Sequence, residues 1–131
     1  MEKIKASIGT EKYKTIVSGK KHEIIVDEPA SLGGADTGLT PGELLAGSLA
    51  SCTAITLRMY ADRKKWDVGQ IDVDVTFKRD KETGTTQFIR TLYVEGKVDE
   101  SQRKRLYSIA NACPIHKILA GNVMIQTGFG D

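Results

Sequence analysis

The stretch PGELLAGSLASCTAITLRM, Pro41 to Met59, decides how the chain is read. It carries no charged side chain between Glu43 and Arg58 and holds Cys52, one of two cysteines. Thr40 and Pro41 predict a helix start, with a side-chain oxygen at the cap and proline at the first helical position. The run behind them is rich in Ala, Leu, Ser and Gly and propagates a helix despite Gly47, which costs about 1 kcal/mol relative to Ala. The uncharged run is too short to span a bilayer, which needs roughly 20 residues. It predicts a helix buried nearly all round. A chain of 131 residues has little material to wrap such a helix. A second subunit is therefore expected over part of it, and small residues such as Ala46, Gly47, Ser48 and Ala50 would let another backbone come close.

The length predicts one domain over residues 1–131. Nineteen Lys and Arg against 17 Asp and Glu leave a net charge of +2, too weak a bias to argue for nucleic acid or membrane binding. The N-terminal run MEKIKASIGTEKYK is charged from its start and reads as no secretory signal, so a cytoplasmic location is expected. Two cysteines are too few for a disulfide scaffold and lack zinc-site spacing. In a reducing compartment they are either buried hydrophobes or a redox pair.

Upstream of the helix, Ile4–Ile8, Tyr13–Ser18 and His22–Asp27 read as three short strands joined by turn-like segments, an antiparallel meander. Glu28–Thr40 is a loop that delivers the chain into the helix. Its GGADTG run lacks the spacing of a phosphate-binding fingerprint. Downstream, Tyr60 to Lys65 is a cationic helix end. Ile71, Val73, Val75 and Phe77 alternate with polar residues as a half-buried strand, a polar turn covers 79–84, and Gln87–Glu95 is its partner. Asp99 with Gln102 predicts a capping box at a second helix, on which Leu106, Ile109, Ala110 and Cys113 share one stripe. Pro114 breaks that pattern and starts a short helix over 115–120, with Cys113 near its N-terminus. Val123–Thr127 reads as a last strand. The order βββ-α-ββ-α-β is α+β.

A thiol becomes a nucleophile as thiolate, which needs a cation or a helix N-terminus nearby. Cys52 lies deep in its helix and would need a cation from elsewhere, whereas Cys113 could draw on the amides of the helix that follows. Burial would oppose both. His116 stands three residues after Cys113, half of a metal site without the other half, and no metal or cofactor is expected. His22 reads as structural, and neither histidine has a Ser-His-Asp setting.

The pattern DEP, then GGADTGLTPGELLAGSLASCTAITLRMYA, then ANACPIHKIL resembles the OsmC/Ohr family, the osmotically inducible protein C and organic hydroperoxide resistance proteins. The resemblance runs through nearly the whole chain. Its marks are Pro41 eleven residues before Cys52, and Cys113-Pro114 followed by an apolar residue. It implies an intertwined homodimer with central cysteine-bearing helices, and a thiol-dependent peroxidase acting on small organic hydroperoxides. By motif position Cys52 attacks the peroxide, Cys113 resolves the sulfenic acid to a disulfide, and a cellular thiol reductant reverses it.

Two positions depart from the family pattern. Gly42 stands where relatives carry a glutamate, with Glu43 one residue later, about 100° further round the helix. No arginine precedes the helix, the first being Arg58. Glu43 is the remaining candidate for an orienting carboxylate, and Lys20, Lys21 or His22 for a cation. The pattern is that of the OsmC-like branch, for which the alternative function is redox sensing or small-molecule binding with little peroxidase turnover.

Overall fold

A computed structural model describes residues 3–130. Contacts within the chain divide it into two compact units, residues 1–45 and 46–131. The fold is α+β, as the sequence predicts, in the order β1 (Lys5–Ile8), β2 (Thr15–Ser18), β3 (Glu23–Val26), α1 (Pro41–Lys64), β4 (Ile71–Arg79), β5 (Thr86–Val94), α2 (Glu100–Ala110) and α3 (Pro114–Leu119).

In the first unit β1, β2 and β3 form an antiparallel meander, with Ile16 opposite both Ser7 and Ile25. The loop after it contains one 3-10 turn, Ala30–Leu32, and is tied down by Asp27. That carboxylate is 1% exposed and accepts hydrogen bonds from the amides of Tyr13 (3.2 Å), Glu28 (2.8 Å) and Thr37 (3.1 Å), and from the Thr37 hydroxyl. The Thr37 hydroxyl, outweighing the cost of burial and helped by the three amides, lowers the Asp27 pKa from 3.8 to about 2. Gly34 and Gly38 are required here: a Cβ on either would run into the backbone carbonyl of Glu28 or Ile25. The unit ends at the start of α1, where Thr40 Oγ1 accepts from the Glu43 amide at 3.1 Å. The Glu43 carboxylate accepts from the Thr40 amide at 2.9 Å, completing the capping box.

In the second unit α1 buries Leu49, Thr53, Leu57, Tyr60 and Ala61. These fall at helical spacing on one stripe, so the all-round burial expected from the sequence is absent in the single chain. Leu45, Ile55 and Met59 are 41%, 55% and 62% exposed. The reason is simple geometry: one hairpin and two short helices cover one side of a helix. At 24 residues α1 has the length and composition to cross a membrane. Its uncharged part, 44–57, is about 21 Å long at the helical rise, shorter than the roughly 30 Å hydrocarbon core.

The core gathers Leu57, Tyr60, Leu106 and Ala110, with Trp66, Ile71, Leu92 and Val94 packed against it. Tyr60 meets Trp66 edge-on at 5.5 Å, and its hydroxyl accepts from Arg105 Nε at 2.9 Å, so the phenol is buried with its polar end satisfied. β4 and β5 pair antiparallel from Ile71–Val94 to Arg79–Thr86, with Phe77 stacked on Phe88 at 5.0 Å. The α2 capping box forms as expected: Asp99 accepts from the Gln102 amide at 2.7 Å and the Gln102 side chain from the Asp99 amide at 3.0 Å.

The expected last strand does not form. Residues 123–127 have no strand partner, with Met124 95% and Ile125 88% exposed. Among the described residues the strands pair only as β1-β2-β3 and β4-β5, and the open edges of these sheets are not taken up by 123–127.

Candidate active site

The thiol site belongs to the second unit. α1 presents Cys52 part-exposed and, beside it, Thr53 fully buried. α2 ends at Ala110, earlier than the sequence stripe suggests, because Pro114 cannot supply the amide that would continue it. Cys113 thus leaves α2 and becomes the N-cap of α3, fully buried, with Pro114 at the first helical position.

The two sulfurs are free and close enough that each alters the other's ionisation. Burial pushes the Cys52 thiol up, and donation of its proton to Cys113 pushes it further. The Ile115 amide and the Thr56 hydroxyl work weakly the other way. Burial also opposes ionisation of Cys113, but the Cys52 thiol, the His116 amide, the Thr53 hydroxyl and the Ile115 amide together hold it below the usual thiol range. As a neutral thiol Cys113 makes no cap hydrogen bond, so the α3 amides favour it only once it is charged. Of the two, Cys113 is therefore the more readily ionised.

Arg90, which the sequence reading missed, reaches this site from β5. Its Nη1 donates to Thr53 Oγ1 at 3.1 Å, and its Nη2 lies 2.9 Å from Asn111 Oδ1 and 3.2 Å from His116 Nδ1. Because arginine is always a donor, His116 Nδ1 accepts, which puts the ring proton on Nε2. His116 is thus a partner of Arg90. The signal was present in the sequence: Arg90 is in phase with Phe88, Leu92 and Val94, the inward residues of β5, where a charged side chain has no ordinary reason to be. Arg90 and His116 also line a cavity of about 240 Å³, whose other walls include Leu49, Phe88 and Leu119.

The other sequence candidates lie in the first unit. Glu43 is exposed and engaged with the Thr40 amide, two and a half helical turns before Cys52 along α1. Lys20, Lys21 and His22 are exposed in the β2–β3 turn, where the His22 carbonyl accepts from the Gly19 amide at 2.8 Å. Among the described residues no group of three or more His, Cys, Asp and Glu side chains is arranged to hold a metal ion.

No curated protein matches the sequence. The structure is similar to a Psychrobacter arcticus protein named for osmotic stress induction and detoxification response, with TM-score 0.77 and 24% identity over 90% of this chain and 88% of that one. An OsmC-like protein from Mycoplasma pneumoniae superposes with TM-score 0.73 and 19% identity over 92% and 88%. The organic hydroperoxide resistance protein OhrB of Bacillus subtilis gives 0.62 and 24% over 93% and 92%. Residues 33–128 match the family described as OsmC-like protein. That match takes in both cysteines and every side chain around them, and on it the chain belongs to the OsmC-like protein family.

Proposed function

We propose that the protein is a thiol-dependent peroxidase that reduces organic hydroperoxides, with Cys52 attacking and Cys113 resolving. The observation that carries this reading is the contact between a part-exposed sulfur and a fully buried one. A peroxide can reach Cys52 but not Cys113, so access assigns the roles even though Cys113 is the more readily ionised. Loss of the Cys52 proton to solvent creates the attacking thiolate. It attacks the terminal peroxide oxygen, the O–O bond breaks, and the departing alkoxide takes a proton from solvent and leaves as alcohol. Cys52 is now a sulfenic acid. Cys113 attacks its sulfur, an S–S bond forms, and the displaced hydroxyl takes the Cys113 proton and leaves as water. An external thiol reductant returns two electrons and two protons.

Membership of the OsmC-like family and the fold shared with an organic hydroperoxide resistance protein support this reading. Glu43 is its candidate orienting carboxylate, and a role at sulfur requires that side chain to leave the Thr40 amide. The reading includes a homodimer, in which a second copy covers Leu45, Ile55 and Met59 of α1, and a reducing cytoplasm that supplies the thiol reductant. The test is a steady-state assay with an alkyl hydroperoxide and a dithiol. Turnover that is lost in Cys52→Ser supports the proposal.

A second reading is a redox sensor or small-molecule binder with little turnover. It is favoured by the burial that keeps Cys52 protonated. It predicts that peroxide oxidises Cys52 once, stoichiometrically, with no sustained consumption of reductant.

A further inference from the structure

Arg90 is a half-buried cation with no counter-ion. Among the described residues the only ion pair joins Arg58 to Asp62 at 3.9 Å. The groups that hold Arg90 are a hydroxyl, a carboxamide and a neutral imidazole, drawn from α1, the end of α2 and α3. Such a socket fixes the guanidinium without neutralising it, and taking an unbalanced charge out of water is unfavourable. All three groups flank the cysteines: Thr53 follows Cys52, and Asn111 and His116 stand two positions before and three after Cys113.

The connection runs through Thr53. Its hydroxyl accepts from Arg90 and favours the charged form of the Cys113 sulfur. It owns one proton, which goes either to the Leu49 carbonyl at 2.7 Å, the ordinary back-bond of a helical threonine, or to Cys113. A guanidinium on the oxygen makes that proton a better donor, and a charged sulfur draws it away from Leu49.

We propose that Arg90, acting through the Thr53 hydroxyl, is the positioning residue of the thiol pair: it sets a fixed positive charge behind Cys52 and Cys113 that favours a negative charge on the sulfurs. The groups facing that charge are the Thr53 and Thr56 hydroxyls from α1, the Ile115 and His116 amides from α3, and Arg90 from β5 behind Thr53. The cation thus comes from a strand that follows the cysteine helix, in a chain with no arginine before it. The inference rests on the thiol-pair reading above, but its test needs no hydroperoxide and can succeed where turnover fails.

The experiment is a pH titration of thiolate ultraviolet absorbance in the full chain, with thermal unfolding to show that each variant is folded. Arg90→Met is expected to cut the thiolate fraction below its midpoint about tenfold, one pKa unit upward. Arg90→Lys keeps the charge but not the fork and is expected to fall between parent and Arg90→Met. Thr53→Val is expected to reproduce Arg90→Met. The double variant is expected to shift no further than the larger single one, because both remove the same connection. A folded Arg90→Met that titrates as the parent does overturns the proposal, as do fully additive shifts. If Arg90→Met does not fold, Thr53→Val decides, and a parental titration there overturns it.

Discussion

Arg90 Nη1 donates to Thr53 Oγ1 at 3.1 Å across 37 positions of sequence. The bond ties the inward face of β5 to the buried stripe of α1 next to Cys52, and so sets a cation behind two thiols. The consequences of that placement, and of the tie holding the loop in the first unit, are open to measurement.

Mild hydroperoxide is expected to convert the parent chain to an intrachain Cys52–Cys113 disulfide, seen as a loss of about two daltons by mass spectrometry. Cys113→Ser is expected to stop at a Cys52 sulfenic acid that a dimedone-type reagent traps. Separate over-oxidised cysteines with no disulfide would remove Cys113 from the resolving role.

Iodoacetamide labelling of Cys52 is expected to be slow at neutral pH and to accelerate with rising pH. Burial and donation to Cys113 raise its pKa, so thiolate accumulates only on the alkaline side. Cys113→Ser removes the neighbouring sulfur that raises the Cys52 pKa, which moves the labelling curve to lower pH. A fast rate that is flat down to pH of about 5 is incompatible with a raised pKa.

The Asp27 pKa falls from 3.8 in the unfolded chain to about 2 in the fold, where Thr37 and three amides hold the charged form. A depressed pKa contributes stability that is whole above the unfolded value and is lost as pH falls through the folded one. Acid unfolding is therefore expected to include a loss between about pH 4 and pH 2 that Asp27→Asn lacks. Urea midpoints across that range check it, and identical acid profiles for the two chains would dismiss the role of Asp27.

Glu43→Ala separates a cap from an orienting carboxylate. Loss of its bond to the Thr40 amide is expected to cost about 0.5–1.5 kcal/mol of stability. If Glu43 also serves at sulfur, peroxide turnover falls at least tenfold under conditions where the variant is fully folded. Unchanged turnover restricts it to the cap.

The chain is expected to sediment as a dimer at micromolar concentration, since Ile55 and Met59 leave a broad apolar surface on α1 at 55% and 62% exposure. Ile55→Glu with Met59→Glu is expected to give a folded monomer. A parent chain that is already monomeric would refute the dimer.

The elements themselves were legible where local chemistry is sufficient. Thr40-Pro41 starts α1 and Asp99 with Gln102 starts α2, because each cap is made by residues within one helical turn. Period-two alternation located β4, and Pro114 located α3, for similarly local reasons. Residues 123–127 have the composition of a strand but join neither sheet among the described residues, and composition cannot supply a partner.

The sequence by itself determined that two cysteines sit on separate helical segments in the OsmC-like pattern, and that no arginine precedes the first of them. Only the tertiary structure decided that Cys113 caps α3 instead of ending α2, that it is the more readily ionised of the two, and that Arg90 stands behind Thr53. The physical reason is range. A cap or an alternation is set by neighbours a few residues apart, whereas the charge on a thiol is set by whichever dipoles and cations the packing of α1, β5 and α3 brings to the sulfur.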